Sequence, residues 1–238
     1  DGWRKFETDH WILLLNEQPQ FAGKCDKWGE FDADDWLYLL YEQPQFAVKC
    51  NEYDGWRKFE TDHWILLLNE HPQFADKAKE FASGWAGILR TKPELANKCD
   101  KWSEFDADDW HLLLEKQPQF ADKCDEYRGW RNLDAWKWRE LLAEQPQFAD
   151  KCEKWSKFDA YEWRSLLEKQ PQFAVKCDEY DGWRKFETNH WSLLLYEQPQ
   201  FADKCDKWDE FDADVWYDLL AEHPQFADKC DKWFEFGV

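Results

Sequence analysis

Eight cysteines, Cys25, Cys50, Cys99, Cys124, Cys152, Cys177, Cys205 and Cys230, are by type the residues best suited to chemistry, since a thiol can bridge, bind metal or attack. Their spacing argues against all three. No CxxC pair exists, and no histidine stands beside them at ligand spacing. Each occupies the same place in a recurring motif, so equivalent thiols belong to successive structural layers. Packed layers lie about 8–10 Å apart, beyond the ~7 Å between Cα atoms that a disulfide tolerates. The pattern predicts free, buried thiols acting as small apolar packing groups. Ala78 stands at the ninth such position, and alanine suits a packing role.

The histidines and acids read the same way. His10, His63 and His190 each precede a tryptophan, in the slot that Asp35 and Asp109 hold elsewhere, and are expected to face solvent. Acidic pairs such as Asp34-Asp35 and Asp108-Asp109 recur at helix starts, which suits the helix dipole better than catalysis. No Ser–His–Asp set, HExxH or glycine-rich phosphate loop stands out. An enzyme site is a local irregularity, whereas almost everything here is periodic. No catalytic, metal-binding or cofactor-binding residue is therefore expected, and the chain reads as a non-enzyme.

The periodicity comes from Pro-x-(Phe/Leu)-Ala-x-Lys-(Cys/Ala), which occurs nine times, beginning at Pro19, Pro44, Pro72, Pro93, Pro118, Pro146, Pro171, Pro199 and Pro224. Successive intervals are 25, 28, 21, 25, 28, 25, 28 and 25 residues, so the underlying superunit is 53 residues. Self-similarity at such a period signifies stacked repeats.

Residues 100–124 illustrate one unit. Asp106 is the expected N-cap, and Trp110, Leu113, Leu114 and Gln117 fall on one helical face, predicting a first helix over 107–116. Pro118 ends that helix and suits the first position of a second one. There Phe120, Ala121 and Cys124 face inward. Gln117 and Gln119 are expected to form hydrogen-bonded ladders between layers, with Gln117 also capping the second helix. Units of 28 residues carry extra linker residues including Gly55 or Gly182, where an unusual φ is expected, and Thr61 or Thr188 as the expected cap. Neither helix is long enough to stand alone. The reading is an all-α solenoid of about nine two-helix repeats of 21–28 residues, one continuous domain over 1–238.

The register breaks once, in the short unit 79–99, where Ser83 is the expected cap and Gly84 and Gly87 open the helix. This is read either as a local change of curvature or as a binding notch at 78–92; an enzyme site would need a polar cluster there, for which Ser83, Arg90 and Lys92 are the available groups.

The net charge of −20 and a pI near 4.7 argue against nucleic acid and anionic membranes, and any charge-steered partner would be basic. No apolar run is long enough to span a bilayer. Nineteen tryptophans are present. Those beginning the first helix (Trp36, Trp64, Trp110, Trp163, Trp191 and Trp216) belong to the core stripe. The linker tryptophans Trp28, Trp56, Trp102, Trp130, Trp155, Trp183 and Trp208 either seal the seam between layers or present rings to a sugar or peptide. Both ends fall in phase with the repeat and carry no polar capping helix. That predicts a longer chain or ends that stack on other copies, with Trp3, Trp233, Phe234 and Phe236 as the joint.

The pattern W-x-x-L-L-x-x-Q-P-Q-F-A-D-K-C-D resembles tandem Trp-rich repeats of very large bacterial proteins, a resemblance that covers the whole chain and implies no activity. More distantly, L-L-x-x-x-P-x-x-A resembles leucine-rich repeat variant units, which implies that the second helix is partly 3₁₀. The functional expectation is a structural or interaction scaffold, binding a protein partner or assembling end to end. The alternative is an extracellular glycan- or peptide-binding surface built from the linker aromatics.

Overall fold

A computed structural model describes residues 2–230, and the expected joint residues Trp233, Phe234 and Phe236 lie outside them. Thirteen α-helices are present among the described residues, with no strand: α1 (Thr8–Glu17), α2 (Ala33–Glu42), α3 (Ala47–Glu52), α4 (Thr61–Glu70), α5 (Ala75–Phe81), α6 (Trp85–Thr91), α7 (Ala107–Lys116), α8 (Ala121–Glu126), α9 (Ala135–Glu144), α10 (Ala160–Lys169), α11 (Ala174–Glu179), α12 (Thr188–Glu197) and α13 (Ala213–Glu222). The fold is an all-α repeat solenoid. Its contacts divide the chain into two compact units, 1–123 and 124–238. In the first, α1, α2, α4, α6 and α7 pack side by side in that order; in the second, α9, α10, α12 and α13 do so.

The principal helices start as their residue types dictate. Asp32, Asp106, Asp134, Asp159 and Asp212 sit at N-caps and accept backbone N–H groups from the first turn. The longer repeats differ from expectation. Their N-cap is Glu60 or Glu187, with Thr61 and Thr188 one position inside the helix. The Nδ1 atoms of His10, His63 and His190 accept the cap residue's N–H, so these histidines are structural parts of the helix start. Ser83 is not a cap either. Gly84 takes that position, without any side-chain bond.

The second helix departs further from a plain α-helix. Before a short linker the chain from proline to lysine is entirely 3₁₀, as in Pro19–Lys24 and Pro199–Lys204, and the next residue, cysteine, is extended. Before a long linker only Pro-Gln-Phe is 3₁₀ and an α-turn follows, as in Pro44–Phe46 with α3. The same split stands ahead of the shortest unit, where Pro72–Phe74 leads into α5, so linker length alone does not decide it. In the long linkers the chain then reverses. The reversal is made by a left-handed residue, Asp54, Arg128 or Asp181, at φ 52, 59 and 53°. The strained conformation thus sits one residue before the glycine. Gly55 and Gly182 serve close approach instead: a Cβ on Gly55 would lie 2.7 Å from Cys50 Sγ and 2.8 Å from the Trp36 indole nitrogen.

Packing explains the tryptophan count. Outside the short unit 79–99, whose Trp85 has no linker tryptophan, the helix tryptophan stacks on the linker tryptophan, for example Trp28 on Trp36 (5.7 Å, 17°) and Trp183 on Trp191 (5.4 Å, 11°). The phenylalanine after proline tilts against the linker ring, as Phe148 does on Trp130 at 5.1 Å. Burying these clusters is a large stabilising contribution in each layer that has one. The first glutamine of Gln-Pro-Gln ties layers together. Its Nε2 donates to the penultimate carbonyl of the preceding principal helix: Gln43 to Asn16 (2.6 Å), Gln117 to Arg90 (2.8 Å), Gln170 to Ala143 (2.6 Å), Gln198 to Glu168 (2.6 Å). Those carbonyls have no partner within their own helix. His71 and His223 fill the same slot, donating from Nε2 to Tyr41 and Tyr196 at 2.7 Å.

Candidate functional site

The linker aromatics are packed inward. Trp28, Trp56, Trp102, Trp130 and Trp155 are buried, and Trp183 and Trp208 are half-buried with their rings stacked on Trp191 and Trp216. The reason is local: the 3₁₀ turn carrying each of these residues folds its ring flat onto the first helix. Trp3 is half-buried and stacks on Trp11 at 5.6 Å, within its own repeat.

All eight cysteines are free, and no group of residues among those described could hold a metal ion. Burial pushes the thiols up from the ordinary 9.0, Cys25 and Cys99 to about 11, and Cys124, Cys152 and Cys205 to about 12. Cys50 and Cys177, wholly buried, rise further for the same reason. The unfolded chain releases these protons from about pH 9 while the native state holds them, so stability falls as pH rises through the 9–12 window. A variant with Cys50, Cys124 and Cys177 replaced by alanine, the residue found at Ala78, is expected to lose melting temperature less steeply over that window than the parent. Parallel pH profiles would show that the thiols are not protected.

The accessible irregularity lies on the outer face of 1–123. The residue two after each helix tryptophan falls roughly 200° from it, at 100° per residue, and so points away from the core. There stand Leu13, Tyr38, Leu66 and Leu112, which are 61, 44, 50 and 43% exposed. They belong to α1, α2, α4 and α7. Asn16 Nδ2 donates to Tyr38 Oη at 3.2 Å, joining the first two helices across this face. A row of exposed aspartates, Asp9, Asp34, Asp62 and Asp108, runs beside the apolar row at the helix starts. The same positions of the second unit are Glu140, Ser165, Leu193 and Asp218, so the apolar row is particular to 1–123.

In α6 the outward position is Gly87, and the row is interrupted by a notch of about 260 Å³. Thr61, Gly84, Gly87, Arg90, Asp109 and Leu112 line it. A Cβ on Gly84 would lie 1.8 Å from Thr61 Oγ1, and one on Gly87 would lie 2.8 Å from Thr61 Cγ2, so both glycines let α6 sit against the start of α4. The Asp109 carboxylate accepts the Asp106 N–H in its own helix cap, and burial raises its pKa. Of the three polar residues expected at 78–92, Arg90 lines the notch; Ser83 and Lys92 do not. The sequence signal for the outer row is the unbroken apolar run Trp11–Leu15 and its copies: five consecutive helical residues cannot all face one side.

Compared with protein-family models, curated proteins and solved structures, the chain matches none.

Proposed function

We propose that this chain is a non-catalytic interaction scaffold whose outer face in 1–123 binds a basic amphipathic helix. The observation carrying the reading is the exposed row Leu13, Tyr38, Leu66 and Leu112 beside the row Asp9, Asp34, Asp62 and Asp108. Apolar anchors at the spacing of packed helices suit an amphipathic helix laid across them. The aspartates and the net charge of −20 select lysine and arginine at its edges. The interior is consumed by aromatic packing, which leaves the surface to carry specificity. No described helix is long and apolar enough to cross a membrane.

Titration with a fluorescein-labelled amphipathic helix of leucine and lysine tests this. Binding is expected to saturate and to weaken with salt. Replacing Leu66 and Leu112 by glutamine, both exposed, is expected to weaken it about tenfold or more. Equal binding of a peptide of the same composition without an apolar face, or unchanged binding by the variant, would overturn the reading. Light scattering on the same samples separates peptide binding from occupation of the face by a second copy.

A further inference from the structure

A different place in the molecule departs from the repeat in charge. In the long linkers the left-handed residue is an aspartate that pairs with the arginine three residues on: Asp54 with Arg57 at 3.6 Å and Asp181 with Arg184 at 3.7 Å. In the linker between α8 and α9 that aspartate is replaced by Arg128, while Arg131 is kept. A left-handed conformation favours aspartate or asparagine over arginine, so the exchange brings no conformational gain. In the short linkers the lysine before tryptophan pairs with a glutamate three residues on: Lys27 with Glu30 and Lys207 with Glu210, both at 2.7 Å. In the next layer the corresponding lysine is Lys154, and the glutamate is replaced by Lys157. Two adjacent layers have thus each exchanged a neutralising acid for a base.

Arg128 shares a cleft with Lys154, the lysine whose glutamate Lys157 replaces. Arg128, Arg131, Lys151 and Lys154 line one cleft of about 350 Å³, over the edge of Trp130. The acids there are Asp125, Asp150 and Glu153. Asp125 is already engaged: its Oδ1 accepts from Trp130 Nε1 at 2.8 Å and its Oδ2 pairs with Lys151 at 2.6 Å. Four bases therefore face three acids. The positions 53 residues on carry three bases, Arg184, Lys204 and Lys207, against four acids, Asp178, Asp181, Asp203 and Asp206. Both Arg128 and Arg131 are exposed, and Arg131 lacks the aspartate that pairs with its repeat equivalents Arg57 and Arg184.

We propose that the cleft at Arg128, Arg131 and Lys154 binds a compact phosphate-class oxyanion, of about diphosphate size. Paired guanidinium groups suit phosphate oxygens because each can donate two parallel hydrogen bonds. The volume lies at the small end of ligand clefts. The acidity of the whole chain does not oppose this at physiological salt, where charges beyond roughly 8 Å are screened.

The test restores the repeat. Arg128→Asp and Lys157→Glu install residues found at the equivalent positions, so the fold is kept, as circular dichroism will verify. Calorimetric titration uses pyrophosphate and, separately, a phosphoserine peptide. The parent is expected to bind at least one of them, and the double variant at least about tenfold more weakly. Pyrophosphate alone would identify a free anion as the source, and the peptide alone a phosphorylated side chain. Binding of neither, or equal binding by parent and variant, would overturn the proposal.

Discussion

Trp163→Ala is expected to lower stability by about 3–5 kcal/mol, the range for removing a large buried aromatic. Trp163 has no exposed surface, stacks on Trp155 at 5.5 Å and 13°, and meets Phe158 at 5.1 Å. It is the hub of its layer, and in a solenoid each layer is held by its neighbours, so the loss spreads to both sides. Trp163→Phe is expected to cost far less. The indole nitrogen of Trp163 is buried with no hydrogen-bond partner, and removing a group in that state recovers about 1–3 kcal/mol. Trp136→Ala is the control: that ring is 47% exposed, and the expected change is under about 1 kcal/mol. Urea unfolding followed by circular dichroism reads all three. A loss below about 1 kcal/mol for Trp163→Ala would mean that the stacked pair is not the core.

Gly182→Ala should also be severe, near the upper end of the roughly 1–3 kcal/mol typical of overpacking. The added Cβ would fall 2.5 Å from Cys177 Sγ and 2.8 Å from the Trp163 indole nitrogen, both in the sealed interior. Neither is the end of a flexible surface chain that can swing away. In a Cys177→Ala background the sulfur is gone, and part of the cost should return, so the two substitutions will not add. Asp181→Gly is the informative contrast. Asp181 holds the left-handed conformation, and its pairing with Arg184 at 3.7 Å is exposed, so glycine there is expected to be close to neutral. If Asp181→Gly were the damaging change and Gly182→Ala harmless, the linker glycine would be serving conformation and not space.

What the sequence determined by itself is whatever is local and periodic. Nine prolines fix where each repeat turns. The spacing of Trp110, Leu113 and Leu114 defines the inner face of α7, and the predicted range 107–116 matches the helix residue for residue. Asp106 caps that helix as its type requires, and eight cysteines at one repeat position are free, because layer spacing exceeds what a disulfide can bridge. The bond between layers made by Gln117 was legible as well, but Gln119 donates to Gln117 within its own turn instead of to the next layer, and the Gln117 side chain does not cap the second helix. The tertiary structure decided everything that depends on how layers meet. Whether Trp56 seals or displays its ring is not written in its own spacing. It depends on the turn that lays it on Trp64, at 5.6 Å and 14°. The role of Gly55 follows from Cys50 and Trp36, one before it in its own turn and one in the preceding layer. The outer row of Leu13, Leu66 and Leu112 and the cleft at Arg128 exist only once neighbouring repeats are stacked. Periodicity along a chain fixes which way a side chain points within its helix; contact between repeats fixes what it meets, and that second quantity has no one-dimensional signature.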